Sequence, residues 1–386
     1  MQTYAQDYLP ALWTYQEELL QRLELLVNID SGTGQVAGIQ QIMGYLQRWL
    51  EELGFAVRLR EAEPFGPNLV ARKRGKGRLR VLLVGHVDTV YERGAAAARR
   101  WQVEQGIAYG PGVIDMKSGV LMAIYAARAL LETGFEDFGE LCLVFNNDEE
   151  VGSPGSTALF RELAPQVDVA FVLEPSRNPA FVTSARKGAD KYALTVRGVP
   201  AHSGVEPHRG RSAVVELAHK IIAVHHLNTL FPGVTFNVTR LSSSEPLNVV
   251  PDMARCHISV RAHKQEQLEM AARALEAIST GCNVPGTQTT LERGRGRTPY
   301  ETTPAIARLV DVAALEGQSL GIAIVAESKG GLSDANALVE VGVPTLDSLG
   351  PIGGGMHDLN REYLRIDSLP LRGALLAGLI HHLCLA

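Results

Sequence analysis

Several acidic and imidazole side chains of this sequence stand directly after dense apolar runs. The runs 79–85, 139–145 and 167–173 are short and rich in aliphatic residues, which is the pattern of buried β-strands. The polar groups that follow these runs, or that come just before a predicted helix, are His86, Asp88, Asp115, Asp148, Glu149, Glu150 and Glu174. In an open α/β sheet, ligands gather outside the carboxyl ends of the strands. Carboxylates that meet there repel one another unless a cation lies among them, so the pattern predicts a metal site.

The residue types favour zinc as the metal. Histidine nitrogen and carboxylate oxygen are zinc ligands. Neither a thiolate site nor a disulfide framework is expected, because the cysteines are far apart and form no C-x-x-C pair; they are Cys142, Cys256, Cys282 and Cys384. Two zinc ions need about six ligand positions, with one carboxylate bridging. A set that satisfies this need is His86, Asp115, Glu150, Glu174 and one further histidine.

The further histidine is chosen by its surroundings. His357 lies in the glycine-rich stretch GPIGGGMHDLN, after the predicted strand 345–349. A loop without bulky side chains lets backbone and ligand approach closely. His381 and His382 lie on the last predicted helix and are more simply surface or helix-end cations. The other candidates end a helix or have no acidic cluster near them in sequence, and they are His219, His225, His226, His257 and His263.

The elements that must position these groups alternate between strand and helix over most of the chain. This alternation predicts an α/β catalytic domain with a largely parallel sheet, formed by residues 1–185 and 299–386. Residues 186–298 show the order β-α-β-β-α-β, which is the ferredoxin-like arrangement. We therefore expect a smaller domain inserted into a larger one. The 386 residues of the chain are ample for two domains.

Composition narrows the class of protein. Hydrophobic residues make up 46% of the sequence and charged residues 20%, as in ordinary globular proteins. The net charge of −5 argues against a nucleic-acid partner or an acidic membrane surface. The N-terminal residues lack the pattern of a signal peptide, and no run approaches the 18 apolar residues of a membrane helix. We therefore expect a cytoplasmic protein without a membrane partner.

Six motifs, in order, resemble a known enzyme family. They are GHVDTV, GPGVIDMKSG, DEEVGS, LEPS, AHSG and GGMHDLN. Together they resemble the zinc aminoacylase and carboxypeptidase family, which includes glutamate carboxypeptidase, succinyl-diaminopimelate desuccinylase, acetylornithine deacetylase and the aminotripeptidases. The resemblance runs from about residue 10 to the end of the sequence. Any one motif is weak evidence, whereas six in the family's order are specific.

The resemblance implies a role for each metal ligand. Asp115 would bridge two Zn²⁺ ions. His86 and Glu174 would hold one of them, and Glu150 and His357 would hold the other. Co²⁺ or Mn²⁺ could occupy the same nitrogen and oxygen ligands.

The resemblance also implies roles around the metals. Asp88 would orient the imidazole of the first ligand with its carboxylate. Glu149 would be the general base that takes a proton from water and passes it to the leaving amine. The peptide bond after Asp115 would be cis. His202 of AHSG would match the histidine of the family's lid, which reaches the partner subunit's active site and polarises the scissile carbonyl. The same inserted domain would form a homodimer.

The substrate is narrowed by the same resemblance. Glutamate at position 174 accompanies carboxypeptidases and deacylases, whereas the aminotripeptidases have aspartate there. Arg261 and Arg297 resemble arginines that grip a substrate carboxylate, beside an asparagine that matches Asn248. Gly331 belongs to the substrate-side loop. These features favour a peptidyl or N-acyl amino acid with a free carboxylate, with glutamate first among the candidates.

Two alternatives remain open at this point. A deacetylase or desuccinylase would share the metal site and use a smaller acyl pocket. A catalytically silent scaffold or binding protein would be expected to have lost ligands or the base, whereas all of them are present here.

Overall fold

The computed structural model describes residues 2–244 and 246–386 of the chain. The chain forms two compact units. The larger comprises the residues up to Ser184 together with Thr302–Ser328 and Ser333–Ala386, and the smaller comprises Ala185–Glu301 and Lys329–Leu332. The boundaries drawn from sequence, 186 and 298, fall just inside the longer range of the smaller unit. The smaller unit also includes Lys329–Leu332, a segment that the sequence-based division assigned to the larger domain.

The described residues form helices and strands in alternation. The helices are α1 (Ala5–Val27), α2 (Val36–Glu52), α3 (Ala95–Ala98), α4 (Ser118–Glu132), α5 (Thr157–Leu163), α6 (Ala213–Leu230), α7 (Gln265–Thr280), α8 (Pro304–Ser319), α9 (Asp334–Glu340) and α10 (Ser368–Leu385). The strands are β1 (Ala56–Glu61), β2 (Pro67–Arg74), β3 (Arg80–His86), β4 (Gln102–Glu104), β5 (Ile107–Tyr109), β6 (Glu140–Asn146), β7 (Val169–Val172), β8 (Phe181–Arg186), β9 (Gly188–Arg197), β10 (Thr235–Ser243), β11 (Met253–Ala262), β12 (Gln288–Arg293), β13 (Val325–Lys329), β14 (Thr345–Leu346), β15 (Gly353–Gly354) and β16 (Tyr363–Arg365).

The main sheet of the larger unit has the strand order β1-β2-β6-β3-β7-β14. Strands β6, β3, β7 and β14 run parallel, whereas β2 is antiparallel to both β1 and β6. The prediction of an α/β fold is confirmed, but the sheet is mixed. The antiparallel strands were not separable from the others in sequence, because the hydrophobic pattern of a strand does not report its direction.

The central strands are buried along nearly their whole length. In β3, every residue from Val81 to His86 is buried, and β7 is buried throughout. Strands of this kind are covered on both faces, which is why their sequences are continuous apolar runs instead of alternating ones. The apolar run of β3 ends at His86, so a polar imidazole is delivered directly to the carboxyl end of a buried strand.

Helix α10 is the most apolar long helix of the described residues. By length and composition it could cross a membrane, with a mean hydropathy of 1.3, but 67% of that stretch is buried inside the protein. It packs against α1 and α4 within the hydrophobic core. The expectation that the sequence contains no such run was therefore wrong for this helix, although its burial is that of a core helix.

A small sheet brings two distant segments of the larger unit together. Its strand order is β15-β16-β5-β4, with Tyr363 of β16 opposite Tyr109 of β5. These strands have three residues or fewer, and the sequence pattern did not indicate them. The apolar stretch 322–326 predicts a strand, and the structure forms one slightly later, as β13, which pairs with β8 outside the main sheet.

The smaller unit contains the order β9-α6-β10-β11-α7-β12. Its sheet is antiparallel with the strand order β10-β11-β9-β12. Alternate residues of β11, among them Cys256, Ile258 and Val260, are buried in one cluster with residues of α6 and α7. The residues between them, such as Arg255 and Arg261, therefore lie on the opposite face of the sheet.

Candidate metal centre

His86 is the last residue of β3. One of its ring nitrogens is in a hydrogen bond and the other is not. Its Nδ1 lies 3.0 Å from the backbone oxygen of Asp88. A proton on Nδ1 donates to that carbonyl, which leaves the lone pair of Nε2 free. Nε2 is buried without a hydrogen bond, 3.2 Å from Oδ1 of Asp115 and 3.7 Å from Oε1 of Glu174. An unbonded buried nitrogen facing two carboxylates is the arrangement a metal ligand needs.

His357 meets the other oxygen of the same aspartate. Its Nε2 lies 3.3 Å from Oδ2 of Asp115 and 3.4 Å from Oε2 of Glu150. The loop that carries it requires glycine, because a Cβ on Gly355 would lie 2.0 Å from the backbone oxygen of Arg361 and its φ is +72°. Asp115 thus presents one oxygen to each of two imidazoles, which is the geometry of a bridging carboxylate.

The remaining acids come from the ends of β6 and β7. Glu149 and Glu150 form a short helical turn directly after β6, and Glu174 follows β7. Two groups have ligand atoms within 4.8 Å of one another, His86 with Glu149 and Glu174, and His86 with Asp115 and Glu150. Overlapping groups of imidazole and carboxylate donors fit a pair of zinc ions. Distances alone do not separate Glu149 from the ligands.

The histidines and Asp115 shift one another's pKa. Burial would raise the pKa of Asp115, but its contacts with His357 and His86 hold it well below its ordinary value. Burial would lower the pKa of His86, and its contacts with Asp115 and Asp88 raise it well above the ordinary value instead. Contacts with Asp115 and Glu150 raise the pKa of His357 to about 10. The centre therefore has a strong preference for positive charge among its carboxylates.

Glu149 differs from the other acids of the centre. Burial and the charge of Glu174 raise its pKa well above its ordinary value. A carboxyl group whose pKa is raised holds a proton more readily and can both take and return one, which is what a general base in hydrolysis must do.

Asp88 contacts His86 through both its carboxylate and its backbone. Its carboxylate oxygen is 3.4 Å from Nδ1 of His86, and the closer contact, at 3.0 Å, is made by its backbone oxygen. The carboxylate also accepts hydrogen bonds from the backbone N–H groups of Glu149 and Glu150, both at 3.2 Å, and from Oγ1 of Thr33 at 2.8 Å. The side chain of Asp88 therefore holds the turn after β6, while its backbone holds the imidazole.

Asp334 is a buried carboxylate three positions after Gly331. It accepts hydrogen bonds from Nδ2 of Asn146, at 2.7 Å, and from the hydroxyl of Ser153. Both partners flank the turn of Glu149 and Glu150. Asp334 thus supports the same turn as Asp88 through other residues, a role that no local motif signals, because its partners are far away in sequence.

His202 and Asn248 lie close together in the smaller unit. His202 is exposed, forms a bridge with Val249, and accepts a hydrogen bond on Nδ1 from the backbone N–H of Gly204 at 3.2 Å. The backbone oxygen of Asn248 accepts from the N–H of Ser203 at 2.9 Å. The loop that carries the imidazole is therefore tied to the segment that carries the asparagine.

Arg261 and Arg297 lie on either side of one small residue in the sheet of the smaller unit. Arg261 on β11 is directly opposite Ala189, and Arg297 forms a bridge with the same alanine from the other side. Directly opposite residues point to the same face, so the arginine Cβ atoms are about 10 Å apart across the alanine. Nη1 of Arg261 also donates to the backbone oxygen of Gly330 at 3.0 Å, next to Gly331.

Comparison with known proteins agrees with this geometry. The model of peptidase family M20/M25/M40 matches residues 82–382. Carboxypeptidase G2 of Pseudomonas sp. (strain RS-16) is 31% identical over 369 residues, which cover 95% of this chain and 89% of the relative. A succinyl-diaminopimelate desuccinylase of Cereibacter sphaeroides is 30% identical over 347 residues, covering 82% and 87%.

Solved structures share the fold. Aminopeptidase PepT of Bacillus cereus has a TM-score of 0.82 at 22% identity, covering 95% of this chain and 98% of that one. A Bacillus subtilis protein described as a dinuclear metal binding peptidase has a TM-score of 0.72 at 16% identity, covering 97% and 99%. The family match over most of the chain, with the two-histidine and carboxylate centre, leads to one conclusion. The protein belongs to peptidase family M20/M25/M40 and is a hydrolase of the metallopeptidase class.

Proposed function

We propose that the protein is a two-zinc hydrolase that cleaves the amide bond of a peptidyl or N-acyl amino acid with a free carboxylate, with glutamate as the favoured residue. One observation is the main support for the proposal that the site binds two metal ions. The two oxygens of Asp115 face Nε2 of His86 and Nε2 of His357 at 3.2 and 3.3 Å. A carboxylate placed between two imidazoles is suited to hold two cations side by side.

The donors divide into two sets around that bridge. His86 and Glu174 would hold one metal ion, and His357 and Glu150 the other, with Asp115 shared. When bound, zinc supplies Lewis-acid polarisation and lowers the pKa of a bound water. Cobalt or manganese would fit the same nitrogen and oxygen donors.

Glu149 would handle the proton in this reaction. It would accept a proton from the attacking water on its carboxylate and return it to the nitrogen of the leaving amine. Its raised pKa, caused by burial and by Glu174, suits both transfers. The backbone N–H of Glu149 is fixed by Asp88, so the carboxylate starts from an anchored turn.

The substrate class is supported by the arginine pair of the smaller unit. Arg261 and Arg297 flank Ala189, and a substrate carboxylate between two guanidinium groups would be held by charge-assisted hydrogen bonds. Asn248 and the Gly331 segment would complete this subsite. Carboxypeptidase G2 is 31% identical over nearly the whole chain, which supports the carboxypeptidase reading. The 30% identity to a succinyl-diaminopimelate desuccinylase keeps a deacylase as the second candidate.

The smaller unit would supply a further group and the dimer contact. Its β-α-β-β-α-β order is that of ferredoxin-like folds, the arrangement expected for the family's lid. His202 would donate to the developing oxyanion of the scissile carbonyl. A homodimer would form through α6, where Val215 and Ile222 are 48% and 68% exposed, and through the edge strand β10.

The cysteines of the described residues form no disulfide bonds with one another, which fits the proposed location in the cytoplasm.

The test is hydrolysis of a substrate panel by the zinc-loaded protein beside a Glu149→Ala control. The panel contains N-acyl-glutamates, a folate-type glutamate conjugate, dipeptides, N-acetylornithine and succinyl-diaminopimelate. Cleavage of the glutamate-terminated compounds, lost in the control, is expected. Preference for the acetylated or succinylated amines would instead identify the protein as a deacylase. A silent scaffold would hold little zinc and cleave nothing.

A further inference from the structure

Glu362 is a buried carboxylate outside the proposed ligand set. It is 1% exposed and stands one position before β16. Its Oε2 accepts hydrogen bonds from the hydroxyl of Tyr91 at 2.7 Å and from the N–H of Gly112 at 2.9 Å. Its Oε1 accepts from the N–H of Ile114 at 3.0 Å and from the N–H of Asp115 at 3.2 Å. All four partners are hydrogen-bond donors, and each carboxylate oxygen accepts two hydrogen bonds.

These bonds fix the loop that ends at Asp115. Gly112 has a φ of +70°, so the loop turns sharply just before the aspartate. The donors at positions 112, 114 and 115 face one carboxylate, and without it these buried N–H groups would lose their acceptor, at a cost of about 1–3 kcal/mol each. Only an ionised carboxyl group offers two oxygens that accept several hydrogen bonds and donate none. An amide or a hydroxyl could not replace it.

The same segment carries a proposed metal ligand. His357 precedes Glu362 by five positions, and β16 pairs with β5, which leads directly into the loop at Gly110–Gly112. The short stretch 357–362 therefore contacts Asp115 in two ways. His357 lies against its side chain, and Glu362 accepts a hydrogen bond from its backbone N–H. The distance of 3.3 Å between His357 Nε2 and Asp115 Oδ2 depends on both attachments.

A carboxylate in this place has an electrostatic cost. The centre already contains Asp115, Glu149, Glu150 and Glu174, and a further buried anion adds repulsion in a poorly screened environment. Bound cations would reduce the repulsion among these carboxylates. The hydrogen bonds that fix the loop then outweigh the remaining electrostatic cost more easily. The placement therefore indicates a role in metal binding in addition to a role in folding.

We propose that Glu362 is a positioning residue that sets the orientation of Asp115 relative to His357 and thereby the affinity for the metal pair. The inference rests on the proposed two-metal function. Outer-shell partners of metal ligands commonly change affinity by about 10- to 100-fold when they are substituted. We expect an effect of this size from Glu362→Gln, because the amide NH₂ would face N–H groups of the loop.

The test is competition for Zn²⁺ between the metal-free protein and a chromophoric chelator. The matched control is Glu316→Gln, since Glu316 is a fully buried glutamate that accepts from the N–H groups of Tyr4 and Ala5, at 2.9 and 2.8 Å, away from the centre. We expect Glu362→Gln to bind Zn²⁺ about 10- to 100-fold more weakly than the wild type. Glu316→Gln should lower thermal stability and leave Zn²⁺ affinity unchanged.

A second variant covers the case in which Glu362→Gln does not fold. Tyr91→Phe removes one of the four hydrogen bonds, and we expect a loss of Zn²⁺ affinity of a few-fold. Equal Zn²⁺ affinity in wild type, Tyr91→Phe and any folded Glu362→Gln protein would overturn the inference. A wild-type protein that binds no Zn²⁺ would overturn the proposed function itself, so the two failures are distinguishable.

Discussion

The carboxylate of Asp88 accepts a hydrogen bond from the backbone N–H of Glu150, with 3.2 Å between Oδ2 and the nitrogen. Its other oxygen accepts from the N–H of Glu149, also at 3.2 Å. Asp88 follows β3, and the two glutamates follow the neighbouring parallel strand β6. One side chain thus ties together the ends of two strands that each deliver groups to the metal centre.

This arrangement predicts the effect of Asp88→Asn. The amide has one acceptor oxygen, so one backbone N–H of the turn would face an NH₂ group. The backbone oxygen of Asp88 would still hold His86. We expect zinc affinity and kcat each to fall by about 10- to 100-fold. Thr33→Val removes a single hydrogen bond to Asp88 and should have a much smaller effect. An unchanged kcat in Asp88→Asn would show that the turn is held without this carboxylate.

Glu149 and Glu150 are adjacent, and the same substitution should separate their roles. We expect Glu149→Gln to keep both zinc ions and to lower kcat by about 10²- to 10⁴-fold, because the proton carrier is lost. Glu150→Gln should lose zinc, because an amide is a poorer ligand than a carboxylate. Zinc content by elemental analysis and kcat are measured on both variants. Loss of zinc from Glu149→Gln would instead identify Glu149 as a ligand, which its distance from His86 and Glu174 permits.

The arginine pair predicts where substrate binding is sensitive. If Arg261 binds the substrate carboxylate as proposed, Arg261→Ala removes charge-assisted hydrogen bonds worth about 1.5–3 kcal/mol, and KM for a carboxylate substrate should rise about 10- to 150-fold. Arg255 is the control, because it lies on the same strand and face but pairs with Glu292 at 3.3 Å. Arg255→Ala should leave KM within about two-fold, as expected for an exposed ion pair. If both variants raised KM equally, general loss of positive charge would be the cause.

Part of the metal centre is encoded in local sequence patterns. His86 and the Glu149-Glu150 pair were predictable, because β3 and β6 are apolar runs that end abruptly at polar residues. The apolar periodicity of the sequence predicts helices at 38–53 and 265–280, and these bounds lie within two residues of α2 and α7. Long periodic segments specify themselves locally, and parallel strands bring their ends to one edge of the sheet.

The supporting contacts could not be predicted in the same way. Three of the four partners of Glu362 are backbone N–H groups up to 250 positions away, and a backbone donor leaves no mark in a sequence. The carboxylate of Asp88 lies 3.4 Å from Nδ1 of His86, near the imidazole that it was expected to orient, but its hydrogen bonds to the backbone of the turn after β6 could not be predicted. Short strands such as β5 and β16 are fixed by pairing with each other, not by their own residues. Tertiary context decides in each case.

A buried ion pair in the smaller unit predicts a large effect on stability. Nζ of Lys220 lies 3.0 Å from Oε1 of Glu216, and neither side chain is more than 1% exposed. Glu216 also accepts from the N–H of Asn283 at 2.8 Å. Glu216→Gln leaves the buried ammonium of Lys220 without its anionic partner, although Nζ still donates to the backbone oxygens of Ile278 and Gly281 at 2.8 and 2.6 Å. We therefore expect a loss of about 3 kcal/mol in the free energy of unfolding at pH 7. The exposed pair of Arg60 and Glu162 is the control, and Glu162→Gln should cost less than about 1 kcal/mol.

The same pair sets a pH dependence. Burial would raise the pKa of Glu216, but the hydrogen bonds from Lys220 and from the backbone hold it below its ordinary value of 4.5. A depressed pKa stabilises the fold above the unfolded value, and this contribution is lost as pH falls through the folded value. Urea unfolding between pH 7 and pH 3 should show a smaller acid-induced loss in Glu216→Gln than in the wild type. An identical loss would mean that other carboxylates account for the acid sensitivity.

The pairing of β16 with β5 has a consequence for the order in which the centre matures. A chain emerging from a ribosome presents His86, Asp115, Glu150 and Glu174 long before His357 and Glu362, and N-terminal parts begin to fold first. Until β16 reaches β5, the loop of Asp115 lacks its anchor and one imidazole is missing. In the proposed two-metal function, the complete set of donors therefore exists only after the segment that carries His357 and Glu362 has been synthesised and β16 has paired with β5.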